Sequence, residues 1–279
     1  MNRLPTVDFC GRPVSRLIIG GNPFSGNSHQ SAEADAEMED FFTAARVLDT
    51  LRRCEEHGIN TAQLRGDKHI MRILREYRLS GGGINWIGQT APEMAPYESN
   101  VRLIAKNGAF ALYHHGSVTD GLFKAGDAAE IRRRLRVIRE SGLAVGLGSH
   151  MPEVFEAAER EKWDVDFYMC CVYNLSKVER VSSSVTGVAN EGEPFDLEDI
   201  PIMYSFIRST PKPCLAFKIL GAGRRCESPE SVRAAFVEAY ASVKPSDCVI
   251  VGMFPKYGDQ VAENAGYARE ALVAGARDG

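Results

Sequence analysis

Four basic or imidazole side chains, Arg65, His115, His150 and Lys218, end or closely follow short apolar runs of this 279-residue chain. The planar fork of a guanidinium such as Arg65 suits a carboxylate, phosphate or enolate oxygen. An imidazole at His115 or His150 can give or take a proton near neutral pH. An ammonium at the end of a buried strand, as at Lys218, can lose its proton readily and act as a base or Schiff-base amine; the plainer alternative is a strand-end ion pair. Polar residues recur at comparable points: Asn22, Gln63, Gln89, Thr90, His114, Ser149, Cys170, Asn174 and Lys256. Of these, Asn22, Gln63, Gln89 and Asn174 are candidates for binding substrate. The chemistry implied is proton abstraction next to a carbonyl on a sugar-like molecule: isomerisation, dehydration or β-elimination. A variant holds a divalent metal on His115 and His150 with Glu93, but no short-range His/carboxylate ligand motif supports it.

For these residues to meet, the chain must aim them at one place. Eight short apolar runs are spaced along it: Leu17–Gly20, Asn60–Leu64, Asn85–Gly88, Ala109–Tyr113, Ala144–Leu147, Phe167–Tyr173, Cys214–Ile219 and Val249–Met253. Between them lie stretches with helical apolar spacing: Phe41–His57, Asp127–Ser141, Pro152–Trp163, Leu197–Ile207, Ser228–Val243 and Asp259–Ala274, with shorter ones at Arg72–Tyr77 and Ser99–Lys106. Gly58, Gly108 and Gly142 stand just past three of the helical stretches, where the left-handed conformation closes a helix. Strand–helix alternation implies parallel strands covered by helices, and eight units predict one (β/α)₈ TIM barrel over residues 1–279. A doubly wound open sheet is the alternative on pattern alone. In such a barrel the working residues lie on loops at the C-terminal ends of the strands. One connection, Asn174–Pro194, is long, polar and Ser-rich; it reads as a lid or binding loop, or as a plain surface excursion.

Seven segments, in order, resemble the aldo-keto reductase superfamily over nearly the whole chain: GRPVSRLIIGG, HGINTAQLRGD, LYHHG, GLGSHMPEVFEAAE, VYNLS, AFKILGAG and IVGMFPKYGDQVAENAGYA. The resemblance implies the barrel with an N-terminal hairpin, NADP(H) as hydride donor, and a Tyr acid tuned by Lys and Asp beside a His. Three of those four positions differ here. Asn60 stands for the Asp, Arg65 for the Tyr, and Gln89 or Thr90 for the Lys; the His is kept as His115, with His114 the weaker match. A guanidinium stays protonated and is a poor acid. Ser149-His150 and Cys170 replace the family's nicotinamide contacts, whereas Lys256, Gln260, Glu263 and Asn264 resemble the adenosine end. Ser149, Lys256, Gln260 and Asn264 are therefore the residues the resemblance assigns to a cofactor.

Three readings follow. The first is a barrel enzyme that abandoned hydride transfer for proton-transfer chemistry, as lyase, dehydratase or isomerase. The second is an NADP(H)-dependent carbonyl reductase with a rearranged acid, His115. The third is a non-catalytic binding barrel. Arg224 and Arg225 follow Gly221-Ala222-Gly223 where barrels often hold phosphate, so an acidic substrate would meet Arg224. Composition narrows the partners. Hydrophobic residues are 44%, charged residues 25%, net charge −4 and pI about 5.9, which argues against nucleic acid. The basic run at Arg132–Arg136 sits on a helical stretch and reads as its solvated face. No apolar run spans a bilayer and the N-terminus lacks a signal-type stretch, which leaves the cytoplasm as the expected compartment. The seven cysteines are scattered without CxxC spacing, so neither a disulfide framework nor a zinc knuckle is expected.

Overall fold

The computed structural model describes residues 4–178 and 193–275. The greater part of the Asn174–Pro194 connection therefore lies outside the described residues. Eight parallel strands close into a barrel: β3 (Leu17–Gly20), β4 (Thr61–Arg65), β5 (Asn85–Gln89), β6 (Ala111–His114), β7 (Ala144–Ser149), β8 (Phe167–Cys171), β9 (Cys214–Phe217) and β10 (Cys248–Gly252), with β10 paired back onto β3. Each of the apolar runs in the sequence became one of these strands. Both faces of a barrel strand are covered, so near-continuous burial is what such runs require.

The helices follow the same logic. In α2 (Ala44–Glu56), Val47, Thr50, Leu51 and Cys54 face the core, and the Thr43 side chain caps the first turn. Asp67 caps α3 (Lys68–Leu79) and Asp127 caps α6 (Ala128–Glu140), each accepting from a backbone N–H in the first turn. The remaining cover is α4 (Tyr97–Lys106), α7 (Pro152–Arg160), α8 (Asp199–Ser209), α9 (Pro229–Ser242) and α10 (Gln260–Gly275).

Two helices were not expected. α1 (Ala32–Phe41) has no fully buried residue, and α5 (Gly116–Lys124) buries Gly116, Thr119 and Asp120. Neither presents an apolar stripe, so neither carries the signal that betrays the others.

The N-terminal hairpin, β1 (Thr6–Phe9) with β2 (Arg12–Ser15), plugs the end of the barrel opposite the strand C-termini. Its Phe9 is fully buried, edge-on to Phe110 and Phe167, among Ile18, Ile87, Leu215 and Ile250. Higher in the barrel, Tyr113 fills the space against β7. It can do so because β7 carries glycines there: a Cβ on Gly146 would lie 2.6 Å from the Cβ of Tyr113, and one on Gly148 would lie 3.0 Å from its ring.

Candidate functional site

Side chains alternate along a strand, so Gln63 and Arg65 of β4 point the same way. Register sets Arg65 beside Gln89 of β5, and Gln89 beside Tyr113 of β6. These residues, with His115, His150, Asn22, His29, Phe217 and Lys218, line a cavity of about 60 Å³ at the C-terminal mouth. It has room for a few water molecules. A groove of about 580 Å³ adjoins it and shares Asn22, Asn27, His29, Gln63, Phe217 and Lys218 with it.

The deepest layer is a hydrogen-bonded base for the rest. Gln63 donates to the Tyr113 hydroxyl at 2.8 Å, and Gln89 also bonds that hydroxyl. Burial pushes the phenol well above its ordinary range, so Tyr113 stays protonated. Over this layer the Arg65 guanidinium makes a two-point pair with Glu93, with Nε 3.2 Å from Oε1, and Asp67 is 3.6 Å away.

His114 and His115 point to different places. His114 is fully buried outside the barrel wall, where Nδ1 donates to Thr119 Oγ1 at 2.7 Å and Arg134 donates to Nε2 at 3.4 Å. His115 lines the cavity, its backbone N–H held by Thr90 Oγ1 at 3.0 Å. Burial, with the neighbouring Arg65 charge, pushes the His115 imidazole down to about 3. At neutral pH it is a neutral ring beside a fixed cation.

His150 is built differently. Its Nδ1 lies 2.6 Å from Asp120 Oδ2, and the carboxylate can only accept, so Nδ1 carries the proton. Asp120 also accepts from Ser149 Oγ at 2.5 Å and Ser176 Oγ at 2.6 Å. Burial pushes Asp120 up, but the His150 charge and these hydrogen bonds outweigh it and hold the carboxyl below its ordinary range. The ring rests against Gly116, where a Cβ would come within 3.4 Å of its Cε1, and edge-on to Phe217. Asp120 is the chief residue that sequence reasoning missed. It lies on α5, one turn past His115, and a helix starting directly at that strand end is the one signal that would have found it.

On the other side of the mouth, Glu193 is buried between the His29 imidazole and the Lys218 ammonium. Its carboxylate lies 3.0 Å from His29 Nδ1 and 3.5 Å from Lys218 Nζ. Asn22 donates to the far nitrogen of His29 at 2.9 Å, which fixes His29 as the Nδ1–H tautomer. His29 and Lys218 both hold left-handed backbone, φ 61° and 65°. That conformation costs an L-residue about 1–2 kcal/mol. Neither His29 nor Glu193 was singled out from sequence.

Several expected residues are placed elsewhere. Asn174 caps a short turn, accepting from Ser176 N, and its own N–H goes to Asp199; it does not line the cavity. Arg224 donates to the carbonyls of Gly221, His29 and Glu193, and Arg225 pairs with Glu238, so both staple the loop after β9. Ser149 turns to Asp120, and Glu93, the third ligand of the metal variant, faces Arg65. Among the described residues no group of three or more His, Cys, Asp or Glu is arranged to hold a metal ion, and no helix is long and apolar enough to cross a membrane. All seven cysteines are free thiols. Three arginines of the basic run of α6 are paired: Arg132 with Glu161, Arg133 with Glu98 and Glu130, Arg134 with Glu130.

The residues that the resemblance assigns to NADP(H) divide. Gln260, Glu263 and Asn264 line the groove, but Gln260 uses its Oε1 to accept from Phe254 N. Lys256 is outside the lining and pairs with Glu37 of α1 at 2.6 Å. Lys256 and the Gln260 side-chain carbonyl oxygen are thus engaged within the chain, whereas Glu263 and Asn264 face the groove.

No family model and no curated protein matches the chain. Solved structures do. A truncated 3-deoxy-D-arabino-heptulosonate 7-phosphate synthase from Thermotoga maritima aligns over 99% of this chain and 92% of its own, with TM-score 0.56 and 13% identity. An aldo-keto reductase from Bacillus halodurans in its holo form aligns over 98% and 96%, with TM-score 0.59 and 10% identity. A dihydropteroate synthase from Thermus thermophilus aligns over 96% and 98%, with TM-score 0.51 and 16% identity. These likenesses show the barrel. They spread over barrels of different kinds and do not single out the superfamily that the motifs resemble.

Proposed function

We propose that this protein is an enzyme that moves a proton next to the carbonyl of a small sugar-like substrate, as an isomerase, dehydratase or lyase. The observation that carries the reading is the buried Asp120–His150 pair, 2.6 Å apart, in the same mouth as Arg65 and a neutral His115. With Nδ1 protonated by its bond to Asp120, Nε2 of His150 is the basic nitrogen. It takes the proton from the carbon beside the carbonyl. The electron pair of that C–H bond moves onto the carbonyl oxygen, where Arg65 supplies fixed positive charge and the neutral His115 ring supplies an N–H. Return of the proton to the former carbonyl carbon, as the neighbouring hydroxyl passes its own proton to the former carbonyl oxygen, completes an isomerisation. Loss of a β-oxygen substituent, with the proton delivered to it, completes an elimination. Lys218, held by Glu193 and Tyr173, and Asn22, Gln63 and Gln89 orient the substrate hydroxyls.

The test is solvent exchange. Unphosphorylated ketoses, aldoses and keto-sugars are incubated with the protein in D₂O and followed by NMR. Deuterium entering the position beside the carbonyl, and abolished in His150→Gln, is the expected result. NADPH consumed with no solvent deuterium taken up would put the reductase reading in its place.

A further inference from the structure

We infer that the 580 Å³ groove is a subsite for an uncharged, largely apolar substituent carried by the substrate; this rests on the function proposed for the cavity it adjoins. Its size is that of an ordinary small-molecule pocket. Six residues shared with the cavity make the two continuous, so one molecule can place a polar head beside His150 and extend along the groove.

The walls are apolar where a tail would lie: Met38, Val232, Ile250, Val251, Phe254 and Tyr267. Charge argues against phosphate. Among the described lining residues Lys218 is the one Lys or Arg, and Glu193 faces it; Glu227 and Glu263 also line the groove. The α1 helix, which contributes Met38, carries Glu33, Asp35, Glu37, Glu39 and Asp40 with no Lys or Arg. Its Glu37 holds Lys256, while Arg224 and Arg225 are turned to backbone carbonyls and Glu238. Two amide-rich places that a barrel uses for phosphate are also partly taken up by the chain itself. The start of α9 is tied into a capping box by Ser228 and Ser231. In the turn after β9, Gln30 donates to the Ala222 carbonyl at 2.8 Å and packs where a Cβ on Gly223 would sit. The groove that a dinucleotide would use in an aldo-keto-reductase-like barrel thus has two carboxylates and one paired lysine among its described lining residues, beside an apolar stretch of wall.

Isothermal titration calorimetry on the intact protein tests this with three probes: 2-naphthyl β-D-glucopyranoside, methyl β-D-glucopyranoside and NADPH. Saturable binding of the naphthyl glucoside at least tenfold tighter than the methyl glucoside, with no NADPH binding, is expected. Val232→Asp should weaken the naphthyl glucoside tenfold or more. Met38→Asp, on a helix without buried residues, should do the same and guards against a folding defect in the first variant. Saturable NADPH binding, equal affinity for the two glucosides, or binding of none of the three overturns the inference. The outcomes separate from those above. Naphthyl glucoside binding without solvent exchange removes the proton-transfer reading alone, and exchange on small untailed sugars without naphthyl binding removes the groove assignment alone.

Discussion

Asp120 does two things for His150: it fixes the tautomer of the ring and neutralises it when it is protonated. Asparagine would keep the shape and reverse the first effect, because its amide N–H groups face Nδ1 and move the ring proton to Nε2. Asp120→Asn should therefore cost about 10²–10⁴-fold in turnover, the range for a lost general base. The variant should stay folded by circular dichroism, and combining it with His150→Gln should add little; additive losses would mean that the two residues act separately. Arg65→Lys keeps the cation and loses the fork that meets Glu93 and that the proposed reaction turns to the substrate oxygen. About 10²–10³-fold in kcat, with KM changed less, is the expected loss for an oxyanion donor. His115 is held neutral far below pH 6 by burial, so the acid limb of the rate profile should move with Asp120→Asn and not with changes at His115.

At the level of elements, the barrel separates an end closed by the hairpin from the end that holds the candidate site. The hairpin β1–β2 closes the first with Phe9, whose ring meets Phe167 at 5.1 Å between centroids. Phe9→Ala should cost about 3–5 kcal/mol. For a chain of this size that lowers Tm by about 10 °C. The rate per folded molecule should be unchanged, since the cavity lies beyond the Tyr113 layer; a proportionate fall in kcat would show that the two ends are coupled. The same division explains what was legible in the sequence. Strands buried on both faces read as apolar runs, and α2, α3 and α6 read as stripes behind Thr43, Asp67 and Asp127. Arg65, His115 and His150 were legible because they stand just past those runs. α5 was not, because the face it buries is polar: Thr119 bonds His114 and Asp120 bonds His150, so the residues that would reveal a core helix are the ones used for the site. Glu193 pairs with His29 across 164 positions of sequence, and no spacing rule reaches that far.

Taken as a whole molecule, the barrel buries groups that resist protonation. His114 and His115 are both pushed down to about 3 by burial, from an ordinary value of 6.5. Between those values the unfolded chain binds two protons that the native barrel does not. Stability therefore rises with pH across that window and is lost as pH falls, by up to about 1.4 kcal/mol per pH unit for each ring. The carboxylates act lower. Asp120 and Glu130 are held below their ordinary values, so their stabilisation is complete above the unfolded carboxylate range and lost as pH drops beneath it. Both effects have the same sign, but only the imidazoles act between about pH 6.5 and 4.5. Urea midpoints measured across that interval should fall steadily toward acid, earlier than paired carboxylates alone would dictate. His115→Phe removes one of the two rings, keeps an aromatic in the cavity wall, and should flatten the slope there while leaving the steeper loss below about pH 4 in place. A variant that keeps the full slope would mean that His115 takes up its proton inside the folded barrel. The ring assigned to the oxyanion side of the reaction would then titrate close to working pH, with its ordinary value of 6.5, and could serve as an acid as well as a hydrogen-bond donor.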